Sequence, residues 1–362
     1  MALPYYPLES TRSFRLVSLS SSTEQDGAIE CSITCHELTS GQFPEYAALS
    51  YMWGSPDRSV PILLDGIQVN ITPSLLEAME HLTEIQQNRT DIRSFWWIDM
   101  LCINQDDDRE RGHQVGMMRD IFQSASLIVA WLGPEADGSG DLMRALASTS
   151  KDFRRISGSG LLQQEREFLS RPYWSRIWII QELCVAREIL LTCGKETAPW
   201  MSLQTGCAQE SITGIFSNAI GKLSVTDFRL LIPYNLVDLR TKFKQQRMSL
   251  GSLLTFSSQS ACTDPRDRVF SLLGLTNDGS AEEIILNYSF SPCSVYCSAI
   301  RAIIKTLSRR VKQGTEEEAR IRAIIRRCRH EPLEKNYYAR SECDGIGCDA
   351  WWCCLDIALL DS

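Results

Sequence analysis

Long apolar runs and an excess of basic residues are both missing from this 362-residue sequence. Its longest apolar stretches are far shorter than the roughly 20 residues that a membrane-spanning helix needs, so we predict no membrane span. Lys and Arg number 37 against 45 Asp and Glu, a formal net charge of −8. Binding of nucleic acids or anionic membranes needs surplus positive charge, so neither partner is expected. No basic leader with an apolar core opens the chain, and we expect a cytoplasmic protein.

Several motifs of known enzyme active sites are also absent. The chain has no G-x-x-x-x-G-K-[ST] loop for nucleotide phosphates, no G-x-G-x-x-G and no H-E-x-x-H. G-x-S-x-G is missing too, which weakens an α/β-hydrolase interpretation. Only four histidines occur in the sequence. One of them, His113, could serve as the base for a Cys102 nucleophile, but the apolar neighbours of Cys102 favour a core thiol.

Cysteine is abundant, with 14 residues. Most of them lie in apolar patterns, where a reduced thiol behaves as a small hydrophobic side chain. Because no secretory leader is recognised, reduced thiols are favoured over a disulfide framework. The tail segment CDGIGCDAWWCC, residues 343–354, concentrates four of the cysteines, but their spacing departs from the C-x2-C pattern of zinc sites. We therefore predict no metal site.

Hydrophobic periodicity divides the chain into segments. Residues 1–45 are a β-rich lead-in, in which AIECSITCHE alternates apolar and polar residues as a half-buried strand does. Residues 46–200 alternate strands with helices, which predicts a parallel sheet covered on both faces. Residues 201–330 form a mainly helical extension, and residues 331–362 form a Cys-rich tail that we predict to be poorly ordered.

Local turn and cap signals begin the second segment. VPILLDGIQVNIT places Asp65 and Gly66 between two apolar runs, which predicts a two-residue hairpin turn. Thr72 is then predicted to cap a helix that has Pro73 at its first position.

Three blocks combine aromatic residues with polar residues in apolar surroundings. They are YAALSYMWG at 46–54, WWIDMLCINQDDDRERGHQVGMMRDIFQSASLIVAWLG at 96–133 and RPYWSRIWIIQELCVA at 171–186. In this order they resemble the fungal heterokaryon incompatibility domain family, which carries Y-x-A-L-S-Y-x-W-G, W-I-D-A-L-C-I-N-Q, E-R-x-x-Q-V-x-x-M, W-L-G and R-x-W-x-x-Q-E-L. Met100 stands where the family usually has Ala. With FRLVSL upstream and DPRDRVFSLLGL and ILNYSFSPCSVY downstream, the resemblance extends over roughly residues 5–300.

The resemblance implies a role in fungal non-self recognition, where such domains trigger programmed death of fused incompatible cells. The family is described as distantly similar to TIR domains. This likeness implies an α/β fold, a flavodoxin-like parallel sheet flanked by helices, with an N-terminal β-hairpin region and a mainly helical C-terminal extension. RIWIIQEL falls where TIR domains carry W-C-x-x-E-L, whose glutamate is the catalytic residue of NAD hydrolysis in active members. Carried over, this residue is Glu182, and NAD would be a substrate rather than a cofactor.

Two interpretations of Glu182 stay open. As a catalytic carboxylate, it would stabilise the oxocarbenium-like transition state of nicotinamide–ribose cleavage. As a structural residue, it would pair with Arg176 and hold the third block onto the sheet, on a helix face that it shares with Trp178.

The substrate-binding candidates follow the strands of the first two blocks, at the carboxyl edge where open α/β sheets bind ligands. They are Ser50, Tyr51, Trp53, Asp99 and Asn104. Trp and Tyr at such places more often pack than bind ligands. For Asn104 we favour a helix cap over a ribose contact.

Two other positions receive structural interpretations. Gly54 is predicted to adopt a backbone conformation that other residues resist. In DPRDR, Asp264 and Asp267 are interpreted as turn and helix-start residues, with Arg266 and Arg268 as ion-pair partners.

Two functions remain open from the sequence. The first is an NAD-hydrolysing effector that becomes toxic on self-association. The second is a non-enzymatic signalling scaffold that acts through homotypic contacts. Both imply a homo-oligomer or an incompatibility partner protein.

Overall fold

A computed structural model describes residues 5–20, 29–88, 94–148, 159–203, 232–245 and 248–310. The chain is divided into two compact units, Met1–Ser175 with Val185–Leu239 and Arg176–Cys184 with Arg240–Ser362. The predicted Cys-rich tail, including its four clustered cysteines, lies outside the described residues. The division into four sequence segments stays a prediction.

The strands of the described residues all belong to one sheet in the first unit. They are β1 Ser13–Ser20, β2 Glu30–Glu37, β3 Tyr46–Tyr51, β4 Val60–Leu64, β5 Ile67–Ile71, β6 Phe95–Trp97, β7 Leu127–Trp131, β8 Ile189–Cys193 and β9 Glu196–Pro199. Their order across the sheet is β5-β4-β2-β1-β6-β3-β7-β8-β9.

Helices follow most of the strands and dominate the C-terminal part. They are α1 Pro73–Asn88, α2 Asp99–Cys102, α3 Asp108–Ser124, α4 Ser139–Ala147, α5 Ser159–Leu169, α6 Pro172–Ser175, α7 Trp178–Val185, α8 Ile232–Gln245, α9 Leu250–Phe256, α10 Asp267–Leu273 and α11 Pro292–Arg310. Short 3-10 helices span Leu38–Ser40 and Ala281–Glu283. No helix of the described residues combines the length and apolar character that crossing a membrane requires.

The four central strands β6, β3, β7 and β8 run parallel. Counted along the chain, they lie in the order second, first, third, fourth, as in flavodoxin-like sheets. The predicted α/β class and parallel sheet are confirmed. The whole sheet is mixed, because the N-terminal strand β1 joins it antiparallel to both β2 and β6.

Burial explains why the central strands carry continuous apolar runs. Every residue of β3, β7 and β8 is buried, as expected for parallel strands covered on both faces. The α3 helix contributes a buried face of Gln114, Met117, Met118, Ile121 and Phe122. The core of the first unit therefore forms around the strands whose carboxyl ends carry the motif residues.

The local signals of the sequence are also confirmed. The β4 and β5 strands pair antiparallel with Leu64 opposite Ile67, and the two turn residues Asp65 and Gly66 both have positive φ, 50° and 73°. This is the conformation that Asp-Gly favours in two-residue hairpins. The Leu75 amide donates to the Thr72 hydroxyl at 3.3 Å, so Thr72 caps α1 as predicted.

Candidate functional site

The carboxyl edge of the parallel strands brings the first two motif blocks together. The Trp53 indole N–H donates to Asp99 Oδ2 at 2.8 Å, and Asp99 Oδ1 accepts from the Met100 amide at 2.7 Å. Both side chains are half-buried. Trp53 and Asp99 are thus brought to one place, but their polar atoms are partners for each other.

Ser50 connects the first block to the start of the third block. Its hydroxyl lies 2.8 Å from the Tyr173 hydroxyl in a buried hydrogen bond. Tyr51, the next residue, is also buried. Arg171 of the third block donates to the Leu132 and Pro134 carbonyl oxygens, at 2.9 and 3.0 Å, and so fixes the W-L-G turn. These polar motif residues hold the blocks of the first unit in register with one another.

The helix cap that we assigned to Asn104 belongs to Asp107, and that prediction is wrong. The Asp107 carboxylate accepts from the amides of Arg109 and Glu110 at the start of α3. Asn104 lies one turn too early, and its side-chain oxygen instead accepts from the Asp106 amide at 3.2 Å. The sequence run of three aspartates offered several caps, and the position of the first helical residue decides among them.

A buried ion pair anchors the second block to β1. Arg15 donates to both Glu110 carboxylate oxygens, at 2.5 and 3.0 Å, and to the Cys102 carbonyl at 3.1 Å. The Asn104 amide also donates to Glu110 Oε1 at 2.8 Å. Sequence reasoning assigned no role to Arg15 or Glu110. In the sequence, Arg15 is marked only as a charged residue inside the apolar strand FRLVSL. Glu110 is marked only as part of the E-R pair of the second motif block.

Gly54 has φ of +69°, a left-handed conformation that residues with a side chain adopt at a cost. This confirms the prediction that a conformational need selects glycine there.

The Cys102 thiol is fully buried, and burial raises its pKa to about 12. It is a core thiol and not a nucleophile at neutral pH. The His113 ring nitrogen Nε2 lies 2.7 Å from the Thr11 carbonyl oxygen. The eight cysteines of the described ranges are free thiols. Within those ranges, no three His, Cys, Asp or Glu side chains are placed to hold a metal ion.

Glu182 lies in the second unit, on α7. Its side chain is 2% exposed, and both carboxylate oxygens lie 3.5 Å from Arg176 guanidinium nitrogens. The structure thus pairs the two residues that the sequence analysis paired. Ser50, Tyr51, Trp53, Asp99 and Asn104 belong to the first unit, whereas Arg176, Trp178 and Glu182 belong to the second.

Trp178, one turn before Glu182, contacts Asp267, for which the sequence predicted only a role at a helix start. Its indole N–H donates to Asp267 Oδ2 at 3.0 Å, and the Tyr288 hydroxyl donates to Asp267 Oδ1 at 2.7 Å. Asp267 begins α10, as predicted for a helix-start residue, but its carboxylate faces two neutral donors. Asp264 and Arg266 form the expected ion pair, at 2.7 Å. In the sequence, Asp267 is marked only by its place as the second aspartate of DPRDR.

Burial raises the pKa of Asp267 to about 6, although the hydrogen bonds from Tyr288 and Trp178 act in the opposite direction. The charge of Asp264 raises this pKa further and that of Arg266 lowers it. Asp267 is therefore a carboxyl group that changes protonation in mildly acidic solution.

Both ends of α7 are also fixed by the segment that follows residue 240. The Ile177 amide donates to the Ala261 carbonyl at 3.0 Å, beside a bridge between Arg176 and Ala261. At the other end, the buried Arg240 guanidinium donates to the carbonyl oxygens of Leu183 and Cys184. A cation at the carboxyl end of a helix is favourable because it opposes the helix dipole. The helix that carries Glu182 is thus held at its start and at its end.

Comparison with known proteins agrees with the motifs. Residues 46–182 match the model of the family described as Heterokaryon incompatibility protein (HET). The chain is 27% identical to Heterokaryon incompatibility protein 6, OR allele, of Neurospora crassa, in an alignment of 324 residues that covers 72% of this chain and 48% of that protein. The chain therefore spans about half the length of the curated relative it matches. No solved structure matches. The resemblance carried by the three motif blocks is confirmed: residues 46–182 match the heterokaryon incompatibility family.

Proposed function

We propose that this protein acts in heterokaryon incompatibility as an effector that hydrolyses NAD. The family match over residues 46–182 supports the role in incompatibility, together with the name of the Neurospora relative. The enzymatic part of the proposal rests on Glu182, the last residue of the matched segment, and on its likeness in position to the catalytic glutamate of active TIR domains.

The reaction would break the bond between nicotinamide and the C1′ atom of the ribose. The bonding electron pair leaves with nicotinamide, which becomes neutral, and positive charge develops on the sugar. Water then adds to C1′ and loses a proton, so that NAD⁺ and water give nicotinamide, ADP-ribose and H⁺. The Glu182 carboxylate would stabilise the developing positive charge, as a carboxylate does in glycoside hydrolysis.

The contact geometry of Glu182 supports a carboxylate that is positioned without being held tightly by its arginine. Both Arg176 contacts are 3.5 Å, longer than the roughly 2.7–2.9 Å of a charge-assisted hydrogen bond. The Arg15–Glu110 pair in the first unit is bound much more closely, with its shortest contact at 2.5 Å. That pair has the geometry of a structural anchor, and the Glu182 pair differs from it.

The burial of Glu182 favours a second candidate function. At 2% exposure, the side chain is as inaccessible as many core residues, and a charged pair in such a place often serves packing alone. The domain would then act as a scaffold that transmits the incompatibility signal by self-association.

NAD consumption by the purified full chain tests the proposal. Release of nicotinamide and ADP-ribose is measured by chromatography for the wild type, Glu182→Gln and Glu182→Ala. The matched control is Glu196→Gln, which makes the same chemical change at a more exposed glutamate paired with Arg144. Thermal unfolding of each variant establishes that it is folded.

The proposal predicts turnover in the wild type and in Glu196→Gln, and at least a roughly hundredfold loss in folded Glu182→Gln, the scale of removing one electrostatic catalytic group. Equal NAD loss in all four proteins, or none in any of them, overturns the enzymatic proposal. Cell death that persists with folded Glu182→Gln would instead favour the scaffold.

A further inference from the structure

The contacts of Asp267 differ from those of Asp264 and Glu283, two other carboxylates of the second unit. Asp264 binds Arg266, and Glu283 binds Lys305 at 2.5 Å, so each has a cationic partner. Asp267 accepts instead from two neutral donors, the Trp178 indole and the Tyr288 hydroxyl. One donor lies on α7 and the other in the segment between α10 and α11. The carboxylate therefore joins three pieces of chain that are far apart in sequence.

We propose that Asp267 is a positioning residue that loosens its hold on the Trp178 indole when it takes up a proton. The hydrogen bond that positions Trp178, one turn before Glu182 on α7, is then weaker in mildly acidic solution. For catalysis this inference rests on the proposed function, but the change at the Trp178 indole does not.

The two donors respond differently to the proton. An ionised carboxylate accepts at both oxygens, so both hydrogen bonds form and both are charge-assisted. A protonated carboxyl group accepts at one oxygen and donates from the other. The Tyr288 hydroxyl can reverse its role and accept, whereas an indole N–H can only donate. The bond to Trp178 therefore loses its charge assistance and becomes a neutral hydrogen bond of roughly half the strength.

Neighbouring charged and titratable groups set the pH range in which Asp267 takes up its proton. Asp264 and Arg266 lie in the turn that leads into α10, and the Arg266 guanidinium also lies over the Tyr288 ring at 5.2 Å. Burial, with a smaller contribution from the charge of Asp267, raises the pKa of Cys262 to about 11, so this thiol stays protonated. The charged side chains around α7 are Arg176, Glu182 and, at its carboxyl end, Arg240. On α10 itself, the buried Arg268 follows Asp267. Burial without a cationic partner of its own places the pKa of Asp267 at about 6.

Nuclear magnetic resonance of the tryptophan indole groups tests the inference without reference to activity. Full-length protein labelled with ¹⁵N at its tryptophans is titrated between about pH 4.5 and pH 8, around the Asp267 pKa. Trp178→Phe assigns the Trp178 signal by its disappearance. The indole proton should move upfield as the pH falls, with a midpoint near 6, because it loses a charged acceptor.

Two conservative variants sharpen this test. Asp267→Asn copies the protonated carboxyl group with one acceptor and one donor, so its Trp178 signal should stay at the low-pH position throughout. Tyr288→Phe removes a hydrogen bond that lowers the pKa of Asp267, so the midpoint should move to higher pH. A wild-type Trp178 signal that does not titrate, or a midpoint unchanged in Tyr288→Phe, overturns the inference. The wild-type titration decides even if Asp267→Asn fails to fold.

The pH dependence of NAD turnover is the second readout. Relative to Asp267→Asn, the wild type should lose roughly fivefold in turnover between about pH 7 and pH 5, the scale of one charge-assisted bond reduced to a neutral one. If the Trp178 signal titrates but no protein consumes NAD, the proposed function fails and the inference about Asp267 stands. If NAD turnover has the same pH profile in both proteins, Asp267 does not position the site for catalysis.

Discussion

The Trp53 indole nitrogen lies 2.8 Å from Asp99 Oδ2, and this one hydrogen bond joins the first motif block to the second. It links the carboxyl ends of β3 and β6, which are neighbours in the sheet. The aromatic and acidic residues of the two blocks thus share one structural role. They fix the loops that follow adjacent parallel strands.

Breaking this bond should destabilise the first unit. We expect Asp99→Ala to lower the free energy of unfolding by about 1–3 kcal/mol, because the indole and the Met100 amide both lose an acceptor. Trp53→Phe should cost about 1 kcal/mol, and the double variant should show a coupling of similar size in urea unfolding. Asp57→Ala, at an exposed loop position nearby, is the control and should change stability by less than about 0.5 kcal/mol. Additive single effects would contradict the pairing.

The Arg15–Glu110 ion pair should contribute far more to stability than an exposed pair of the same chemistry. The Arg15 side chain is 2% exposed, so Glu110→Ala leaves a buried cation without its carboxylate. We expect a loss of about 3–5 kcal/mol in the free energy of unfolding, measured by urea denaturation. Arg144→Ala breaks contacts of the half-exposed Arg144 with Asp141 and Glu196, and should cost far less, because solvent screens exposed ion pairs. Similar losses in both variants would contradict this distinction.

Local sequence signals predicted the elements of the fold well. The Asp65-Gly66 hairpin and the Thr72 cap depend on neighbouring residues only, so their chemistry is complete within a few positions. Continuous apolar runs likewise predicted the parallel core, because strands covered on both faces have no polar side. The motif blocks that contain these strands resemble the heterokaryon incompatibility family, and that resemblance predicted how the strands are arranged.

The partners of the polar motif residues were harder to predict. The Asp267 contact with Trp178 spans 89 positions, and the Arg15 contact with Glu110 spans 95. No spacing rule connects residues so far apart, because the tertiary fold alone brings them together. The error at Asn104 has a different origin: three consecutive aspartates follow it, and the helix start selects Asp107 among several equivalent caps.

Cysteine labelling should separate the thiols by burial. Burial raises the pKa values of Cys31, Cys102 and Cys184 to about 12, so the reactive thiolate is scarce at pH 8. Cys35 is exposed. We expect iodoacetamide to modify Cys35 at least about tenfold faster than the three buried thiols, as measured by peptide mass mapping. In denaturant all four should react at similar rates, and a native-state rate for Cys102 equal to that of Cys35 would contradict its place in the core.

The raised pKa of Asp267 predicts a specific dependence of stability on pH. Between its usual value of 3.8 and its folded value of about 6, the folded protein holds this proton while the unfolded chain has lost it. The folded state therefore binds more protons in this window, and the free energy of unfolding falls as pH rises. The stabilising contribution is fully present below about pH 4 and is lost above about pH 6. The difference amounts to at most about 3 kcal/mol.

Other carboxylates act in the opposite direction and must be subtracted. Hydrogen bonds from Ser10 and Lys305 lower the pKa values of Glu37 and Glu283, so these groups stabilise the fold as pH rises. Comparing urea unfolding of the wild type and Asp267→Asn from about pH 4 to pH 7 cancels their contributions, because the variant keeps them all. The wild type should lose stability relative to the variant as pH increases through this range. Parallel curves would mean that Asp267 is ionised in the folded protein throughout, and that two neutral donors suffice to hold a buried charge.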